Sequence, residues 1–187
     1  MKSYAGIGSR ETPSNVSNLL TQFAHHMANK AILRTGAARG ADQAFMKGCY
    51  DGSGHAKIYL PWPGYELGSW VNGHTSGLFG CFALIPPEAY EMAASNHPAW
   101  DRCSRAVRNL HARNELIVHG ISLDNPVDVV IAWTPDGKAS GGTGQAIRSA
   151  QKANIPVVIL TGSTENMIDQ FRAAKRILVE EQQPCTV

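Results

Sequence analysis

The sequence has no apolar run near the ~18 residues that a transmembrane helix needs, and its N-terminus lacks the apolar core of a signal peptide. Its net charge is only +2, from 17 Lys and Arg against 15 Asp and Glu. A broad basic surface for nucleic acid or membranes is therefore missing. We expect no membrane partner, and we expect any anion to bind at a local site.

Paired cysteines and metal-ligand spacings are also missing. The four cysteines are Cys49, Cys81, Cys103 and Cys185, and none belongs to a CxxC pair. Scattered cysteines suit a reducing cytosol better than a disulfide framework, so we expect a cytoplasmic protein. The seven histidines show no HExxH or paired-ligand spacing. The sequence therefore predicts no metal site and no cofactor.

Short apolar segments alternate with amphipathic segments along most of the chain. The predicted strands are 3–7, 31–33, 57–60, 127–133 and 155–160, and the predicted helices are 13–27, 40–50, 98–118, 141–153 and 165–176. This alternation predicts an α/β fold, with a doubly wound, mainly parallel sheet that has helices on both faces. A length of 187 residues fits a single domain, 1–187.

Residues 61–97 interrupt this pattern. They contain four of the ten prolines and two of the four tryptophans. No helical or strand period persists there, which is typical of a functional insertion or lid. A cap that only covers one sheet edge fits the sequence equally well.

Three loops rich in small residues each follow a predicted strand and precede a helix: 6–10, 35–42 and 140–145. Glycine allows backbone N–H groups to approach a phosphate, and the following helix presents its positive end. We expect the amides of 6–10 and 140–144 to hold phosphate, with Arg10 adding a bidentate contact. Asp42 either caps its helix or bonds a ligand hydroxyl. Arg39 either reaches across the sheet edge or pairs with a carboxylate.

Taken together, these segments resemble the SLOG superfamily of Rossmann-like domains, which includes DprA, the LOG nucleotide hydrolases and YspA-like proteins. Residues 8–10 look like its opening GSR, residues 35–42 like its SGxARGxD segment, and residues 113–114 like its RN step. The stretch from 140 to 157 resembles its GGTG phosphate loop with the following IPV. The resemblance covers 3–60 and 98–160, and not 61–97.

The resemblance implies a Rossmann-like protein that binds a nucleotide or nucleotide-derived phosphate ligand at the carboxyl edge of its sheet. An ADP-ribose-like or cyclic nucleotide signal would suit a sensor, carrier or sponge. The ligand-binding residues so predicted are Gly8, Ser9, Arg10, Gly36, Arg39, Asp42, Arg113, Asn114, Ser140, Gly141, Gly142, Thr143 and Gly144. Trp62 or Tyr65 of the insertion would stack on the base. A bacterial or phage source and a homo-oligomer are also implied.

Two alternatives remain open at this point. LOG-like enzymes cleave the N-glycosidic bond of nucleotide 5′-monophosphates. They use a Glu one turn into the helix that follows the glycine-rich loop 140–145, and this chain has Arg148 at that position. Glu115 is then the candidate catalytic residue, with Glu88 and Glu91 as substitutes, and the missing Glu favours binding over catalysis. The second alternative is DprA-like binding of single-stranded DNA, which needs a basic groove and stacking aromatics.

Overall fold

One parallel sheet organises the computed structural model, which describes residues 1–66 and 79–179. Within those ranges the strands are β1 (Ser3–Gly8), β2 (Ile32–Thr35), β3 (Ala56–Tyr59), β4 (Phe79–Phe82), β5 (Val129–Trp133) and β6 (Val157–Leu160). They lie in the order β4-β3-β2-β1-β5-β6, and every neighbouring pair is parallel. The order reverses between β1 and β5, which is the switch point where such sheets bind ligands.

Helices connect the strands and cover both faces of the sheet. In the described part of the chain they are α1 (Ser14–Met27), α2 (Ala41–Asp51), α3 (Pro87–Asn96), α4 (Arg105–His119), α5 (Gly141–Lys152) and α6 (Thr164–Val179). None of these helices is long and apolar enough to cross a membrane. The predicted α/β, doubly wound parallel architecture is therefore confirmed.

Each face of the sheet has its own apolar core, because successive side chains of a strand point to opposite faces. Tyr4 of β1 and Val129 of β5 enter a core that α1, α2 and α6 supply. Their neighbours Ala5 and Val130 enter a second core that α3, α4 and α5 supply. The central strands β1 and β5 are buried on both sides, which explains why they read as continuous apolar runs rather than alternating ones.

The prediction that 61–97 holds no regular structure is wrong for its C-terminal part. Residues 79–82 add β4 to the edge of the sheet, and 87–96 form α3. Both elements are too short to show a clear period; α3 buries only Ala89 and Ala93, one turn apart. Trp70 and the tail after α6 lie outside the described residues.

The helix expected from residue 98 begins at Arg105 instead. Residues 100–102 form a short 3₁₀ turn, and Ser104 is the N-cap of α4, since its side chain accepts a hydrogen bond from the Val107 N–H at 3.4 Å. Serine is among the best N-cap residues, so a start signal existed in the sequence six residues after Pro98. Asn96 and Pro98, which suggested the earlier start, lie at the end of α3 and before the 3₁₀ turn.

A buried carboxylate fixes the ends of β1 and β2 relative to each other. Asp42, in the first turn of α2, accepts hydrogen bonds from the N–H groups of Gly8 (3.2 Å), Gly36 (3.2 Å) and Ala38 (3.3 Å). The Asp42 residue is 4% exposed. Two loops that are separate in sequence are thus held by one side chain, at the edge where the strands end.

Helices α1 and α2 approach each other very closely at Gly48. A Cβ at this position would lie 2.0 Å from the carbonyl oxygen of Thr21 and 2.9 Å from the Ala24 side chain. Only a residue without a side chain allows this contact between two helix backbones. The close approach brings α2, and with it Asp42, onto the sheet.

We expect Gly48→Ala to lower the free energy of unfolding by about 1–3 kcal/mol, because the added methyl group forces the two helices apart. Chemical denaturation of the variant and of the wild type measures this difference. Lys47→Ala is the matched control on the same helix, since Lys47 makes only an exposed ion pair with Asp51. Equal stabilities of Gly48→Ala and Lys47→Ala would contradict the close packing.

We also expect Asp42 to titrate near pH 6 in the folded protein. Burial raises the pKa of its carboxyl from 3.8 to about 6, against the opposing effects of Arg113 and the three amides. A raised pKa means that folding favours the protonated form. The contribution of Asp42 to stability is therefore complete below pH 3.8 and is lost as the pH rises through about 6, a change of about 3 kcal/mol.

Carbon-detected NMR of the aspartate carboxyl groups checks this titration, and Asp42→Asn identifies the resonance by its loss. A midpoint at or below 3.8, the ordinary aspartate value, would show that the hydrogen bonds and Arg113 outweigh burial.

Candidate functional site

A cavity of about 740 Å³ opens at the carboxyl edge of the sheet, beside the ends of β1 and β5. These two strands pair up to Gly8 and Trp133, so the cavity lies at the switch point. Most of the predicted ligand-binding residues line it: Gly8, Ser9, Arg10, Asp42, Arg113, Asn114, Ser140, Gly141, Gly142 and Thr143. Segments far apart in the sequence therefore meet at one place.

The cavity lining does not include three other predicted residues: Gly36, Arg39 and Gly144. Gly36 makes room for Arg113, because a Cβ at Gly36 would lie 1.1 Å from the Arg113 Nη1. A Cβ at Gly144 would lie 2.2 Å from the carbonyl oxygen of Ala139. The Arg39 side chain is 73% exposed and lies 3.9 Å from the Glu66 carboxylate. The two glycines allow close packing. Arg39 pairs with a carboxylate, which was the second of the two roles expected for it.

The N-terminus of α5 presents unpaired backbone N–H groups to the cavity. Gly141, Gly142 and Thr143 are its first residues, and such positions have no carbonyl partner within their own helix. A Cβ at Gly141 or Gly142 would meet no atom within 4 Å, so the space in front of them is open. Asn114 fixes this turn by donating to the Gly142 carbonyl oxygen at 3.1 Å. This helix start is suited to an anion.

The first loop differs from the expectation that its amides hold phosphate. The N–H of Gly8 donates to Asp42, and the N–H of Ser9 donates to the Trp133 carbonyl oxygen at 3.0 Å. A Cβ at Gly8 would lie 2.6 Å from both the Ala41 side chain and the Trp133 oxygen. Gly8 is thus required for packing between β5 and α2. The sequence cannot separate this use of glycine from phosphate contact.

Arg113 places a buried cation in the cavity wall. Arg113 is 4% exposed. Its Nη1 lies 3.9 Å from the Asp42 Oδ2 and donates a hydrogen bond to the Tyr59 carbonyl oxygen at 3.4 Å. Its guanidinium group also lies over the Tyr65 ring, 5.8 Å from the centroid. Burial lowers the pKa of Arg113 and Asp42 opposes this, but an arginine stays charged. The buried Nε has no hydrogen-bond partner among the described residues.

One residue of the insertion, Tyr65, lines the cavity, and Glu66 lies next to it. The Tyr65 hydroxyl accepts a hydrogen bond from Arg10, and the Glu66 carboxylate lies 3.2 Å from the Arg10 guanidinium. Glu66 also accepts from the Arg39 N–H at 2.6 Å, so it joins the first loop to the second. The Tyr65 ring is buried against the edge of Trp62. Tyr65 lines the cavity as expected, whereas Glu66 carries no signal in the sequence.

Glu115, the candidate catalytic residue, lies outside the cavity lining. It is fully buried, and its carboxylate accepts hydrogen bonds from the side chains of Asn96, Gln145 and Ser149. Burial raises the pKa of Glu115, and these bonds oppose the rise. Such a carboxylate holds α4 and α5 together and does not face a substrate. Glu88 and Glu91 are exposed on α3 and also lie away from the cavity.

Arg148 lines the cavity at the position where LOG-like hydrolases have their Glu. Its Nη1 donates to the Ala139 carbonyl oxygen at 3.0 Å and its Nε to the Asn96 carbonyl oxygen at 3.3 Å. The guanidinium group is thus held by backbone oxygens. It adds a third cation to the cavity, after Arg10 and Arg113.

No motif in the sequence indicates a cluster of His97, Cys103 and His111. These residues come from the end of α3, the segment before α4 and the middle of α4, yet their ligand-type atoms lie within 4.8 Å of one another. His97 and His111 line the cavity. Their spacings of six and eight residues match no metal-binding motif, so only the fold brings them together.

No protein-family model matches the sequence, and no curated protein matches it. Solved structures do match. DNA processing protein A (DprA) of Streptococcus pneumoniae is 16% identical with a TM-score of 0.57, covering 96% of this chain. This chain spans only 58% of that protein. DprA of Helicobacter pylori, described with a single-stranded DNA binding mode, is 17% identical with a TM-score of 0.56, covering 92% of this chain and 73% of the other.

A third structure is the molybdenum cofactor binding protein of Rippkaea orientalis. It is 17% identical with a TM-score of 0.51, and the match covers 96% of this chain and 88% of the other. Likeness at this level of identity shows the fold. The Rossmann-like fold expected from the resemblance in sequence is therefore confirmed, and it is shared with DprA.

Proposed function

We propose that the protein binds a nucleotide or a nucleotide-derived phosphate compound in the cavity at the switch point, and releases it unchanged. The observation that carries this proposal is the charge of the cavity. Arg10, Arg113 and Arg148 line it together with the open start of α5. A concave site with converging donors and no opposing ring of carboxylates selects an anion.

The phosphate belongs at the start of α5. The N–H groups of residues 141–143 and the positive end of the helix dipole act in the same direction there. Thr143 adds a hydroxyl to the same wall. Arg10 reaches the cavity from the other side, and its side chain is 51% exposed, so it can turn from Glu66 to a ligand oxygen. A phosphate between them has donors on two sides.

The rest of the ligand has an apolar surface to lie on. Ile7, Val107 and Leu110 line the cavity beside the polar groups. A volume of about 740 Å³ falls in the range of sites for small molecules of nucleotide size. A base with an apolar face and a phosphate at one end matches this division of the cavity better than inorganic phosphate alone.

Proteins with this fold bind ligands of related character. The H. pylori DprA binds single-stranded DNA, which is a chain of phosphodiesters, and the R. orientalis protein binds the molybdenum cofactor. These precedents support a ligand-binding use of this sheet edge. For this chain, we favour a small molecule over DNA because the net charge is only +2 and the cationic groups converge in a cavity.

Binding without turnover follows from the carboxylates. Those that line the cavity, among the residues described, are Glu11 and Asp42. Asp42 is committed to three backbone amides, and the Glu11 side chain is exposed to solvent. Cleavage of an N-glycosidic bond needs a carboxyl group held at the scissile bond. We therefore propose a carrier, sensor or sponge rather than a hydrolase.

The first prediction for this proposal concerns affinity. We expect Arg10→Gln to weaken nucleotide binding by about tenfold, since a charge-assisted contact to phosphate is lost. We expect Gly142→Asp to weaken it at least as much, because the new carboxylate lies where the phosphate binds. Isothermal titration with the tightest binder of a panel of nucleoside phosphates, dinucleotides and cyclic nucleotides measures both effects.

Each variant has a matched control. Arg172→Gln removes a similarly exposed arginine on α6, and Thr164→Asp places the same charge at the first residue of that helix, outside the cavity lining. Both controls should bind like the wild type. If Arg10→Gln and Gly142→Asp also bound like the wild type, the phosphate would lie elsewhere.

The second prediction concerns the fate of the ligand. After incubation with the same panel, the compound bound to the protein should be recovered intact by mass spectrometry, in a stoichiometric amount. Release of free base together with ribose phosphate would overturn the proposal in favour of an N-glycosidase. Binding only to single strands, with an affinity that falls steeply as salt rises, would instead favour the DNA-binding alternative.

A further inference from the structure

Two imidazoles and a thiol meet at one side of the cavity. The Cys103 Sγ lies 3.8 Å from Nδ1 and 4.0 Å from Nε2 of His97. The His97 and His111 rings are 4.5 Å apart between centroids. One ligand-type atom of each of the three side chains lies within 4.8 Å of the others. No other group of three such side chains was found in the described part of the chain.

These distances are close to those of a metal site. Zinc bound tetrahedrally, at about 2.3 Å from sulfur and about 2.0 Å from nitrogen, sets its ligand atoms about 3.5 Å apart. The observed separations exceed this by a few tenths of an ångström between Cys103 and His97, and by about 1.3 Å at most across the cluster. The Nδ1 of His97 accepts a hydrogen bond from the Ala99 N–H at 3.2 Å, so its Nε2 is the nitrogen left for an ion.

His111 lacks the partners that a structural histidine normally has. It is 5% exposed, and its buried Nδ1 has no hydrogen-bond partner among the described residues. A buried imidazole nitrogen without a hydrogen-bond partner keeps free the lone pair that a metal requires.

We propose that His97, Cys103 and His111 bind a zinc ion at the wall of the cavity. Two imidazoles and a thiolate are ligands that zinc prefers, whereas magnesium and calcium require oxygen ligands that this cluster lacks. Cys103 would bind as a thiolate, and its proton would pass to solvent on coordination. This site is separate from the proposed phosphate position at the start of α5. The zinc proposal therefore does not depend on whether a nucleotide binds.

Three protein ligands leave one tetrahedral position unfilled. His97 and His111 both line the cavity, so that position faces the cavity rather than the protein core. A structural zinc site has four protein ligands, whereas sites with three keep a position for water or a bound molecule. The geometry therefore points to an open zinc site that shares its space with the cavity.

Metal titration of the full chain, without nucleotide and without an affinity tag, tests the proposal. The protein is stripped with EDTA, reduced and desalted, then titrated with Co²⁺ and with Zn²⁺ against a chromophoric chelator. We expect one equivalent of each metal to bind. Co²⁺ should give the intense visible bands of tetrahedral coordination and a near-ultraviolet band from thiolate-to-cobalt charge transfer.

Variants separate this site from other cysteines and histidines. Cys103→Ser should remove the charge-transfer band. His111→Gln should weaken zinc binding by more than about 100-fold. That is more than the loss in affinity caused by mutating a residue that only orients a metal ligand. His25→Gln, which removes an exposed imidazole on α1, is the control and should bind like the wild type. Circular dichroism of the stripped variants confirms that they fold.

Two results would overturn the proposal. One is a wild type that binds neither metal stoichiometrically. The other is a folded Cys103→Ser variant that keeps the charge-transfer band, because another thiol would then be the ligand.

Discussion

The site depends on one buried interaction, in which the Asp42 carboxylate accepts three backbone N–H groups and faces the Arg113 guanidinium at 3.9 Å. The amides belong to the end of β1 and to the loop after β2, so the carboxylate fixes both loops at the switch point. It also stabilises a buried cation that burial alone would make costly. Gly36 makes this pairing possible, since any side chain there would collide with Arg113.

This interaction decides which backbone donors at the cavity are already in use. Gly8 uses its N–H for Asp42 and Ser9 uses its N–H for β5, so these first-loop donors are already occupied. At the start of α5 the Asp136 carboxylate accepts from the Ser140 hydroxyl at 2.9 Å, and the space in front of Gly141 and Gly142 is open. Two similar glycine-containing turns therefore differ in how closely they are packed. The difference comes from a carboxylate in α2, not from either turn.

The sequence predicted the sheet well because its strands are short apolar runs that end in small residues, and the order of strands and helices limits the topology. It failed where elements are too short to show a period, as for β4 and α3. At the site, the motifs led to Arg10 and Arg113, which both line the cavity, but they gave no sign that Gly8 and Gly36 are needed for close packing. A glycine that allows close packing looks the same in sequence as one that contacts phosphate. The cluster of His97, Cys103 and His111 has no local pattern at all.

Two neighbouring faces of α5 hold a carboxylate and a cation in different surroundings. Gln145 and Ser149 lie one turn apart, and both donate to the buried Glu115 carboxylate. Arg148 lies beside them, and the carbonyl oxygens of Ala139 and Asn96 accept its N–H groups. The backbone around α5 therefore presents a cation to the cavity at position 148, while Glu115 stays buried outside the cavity lining.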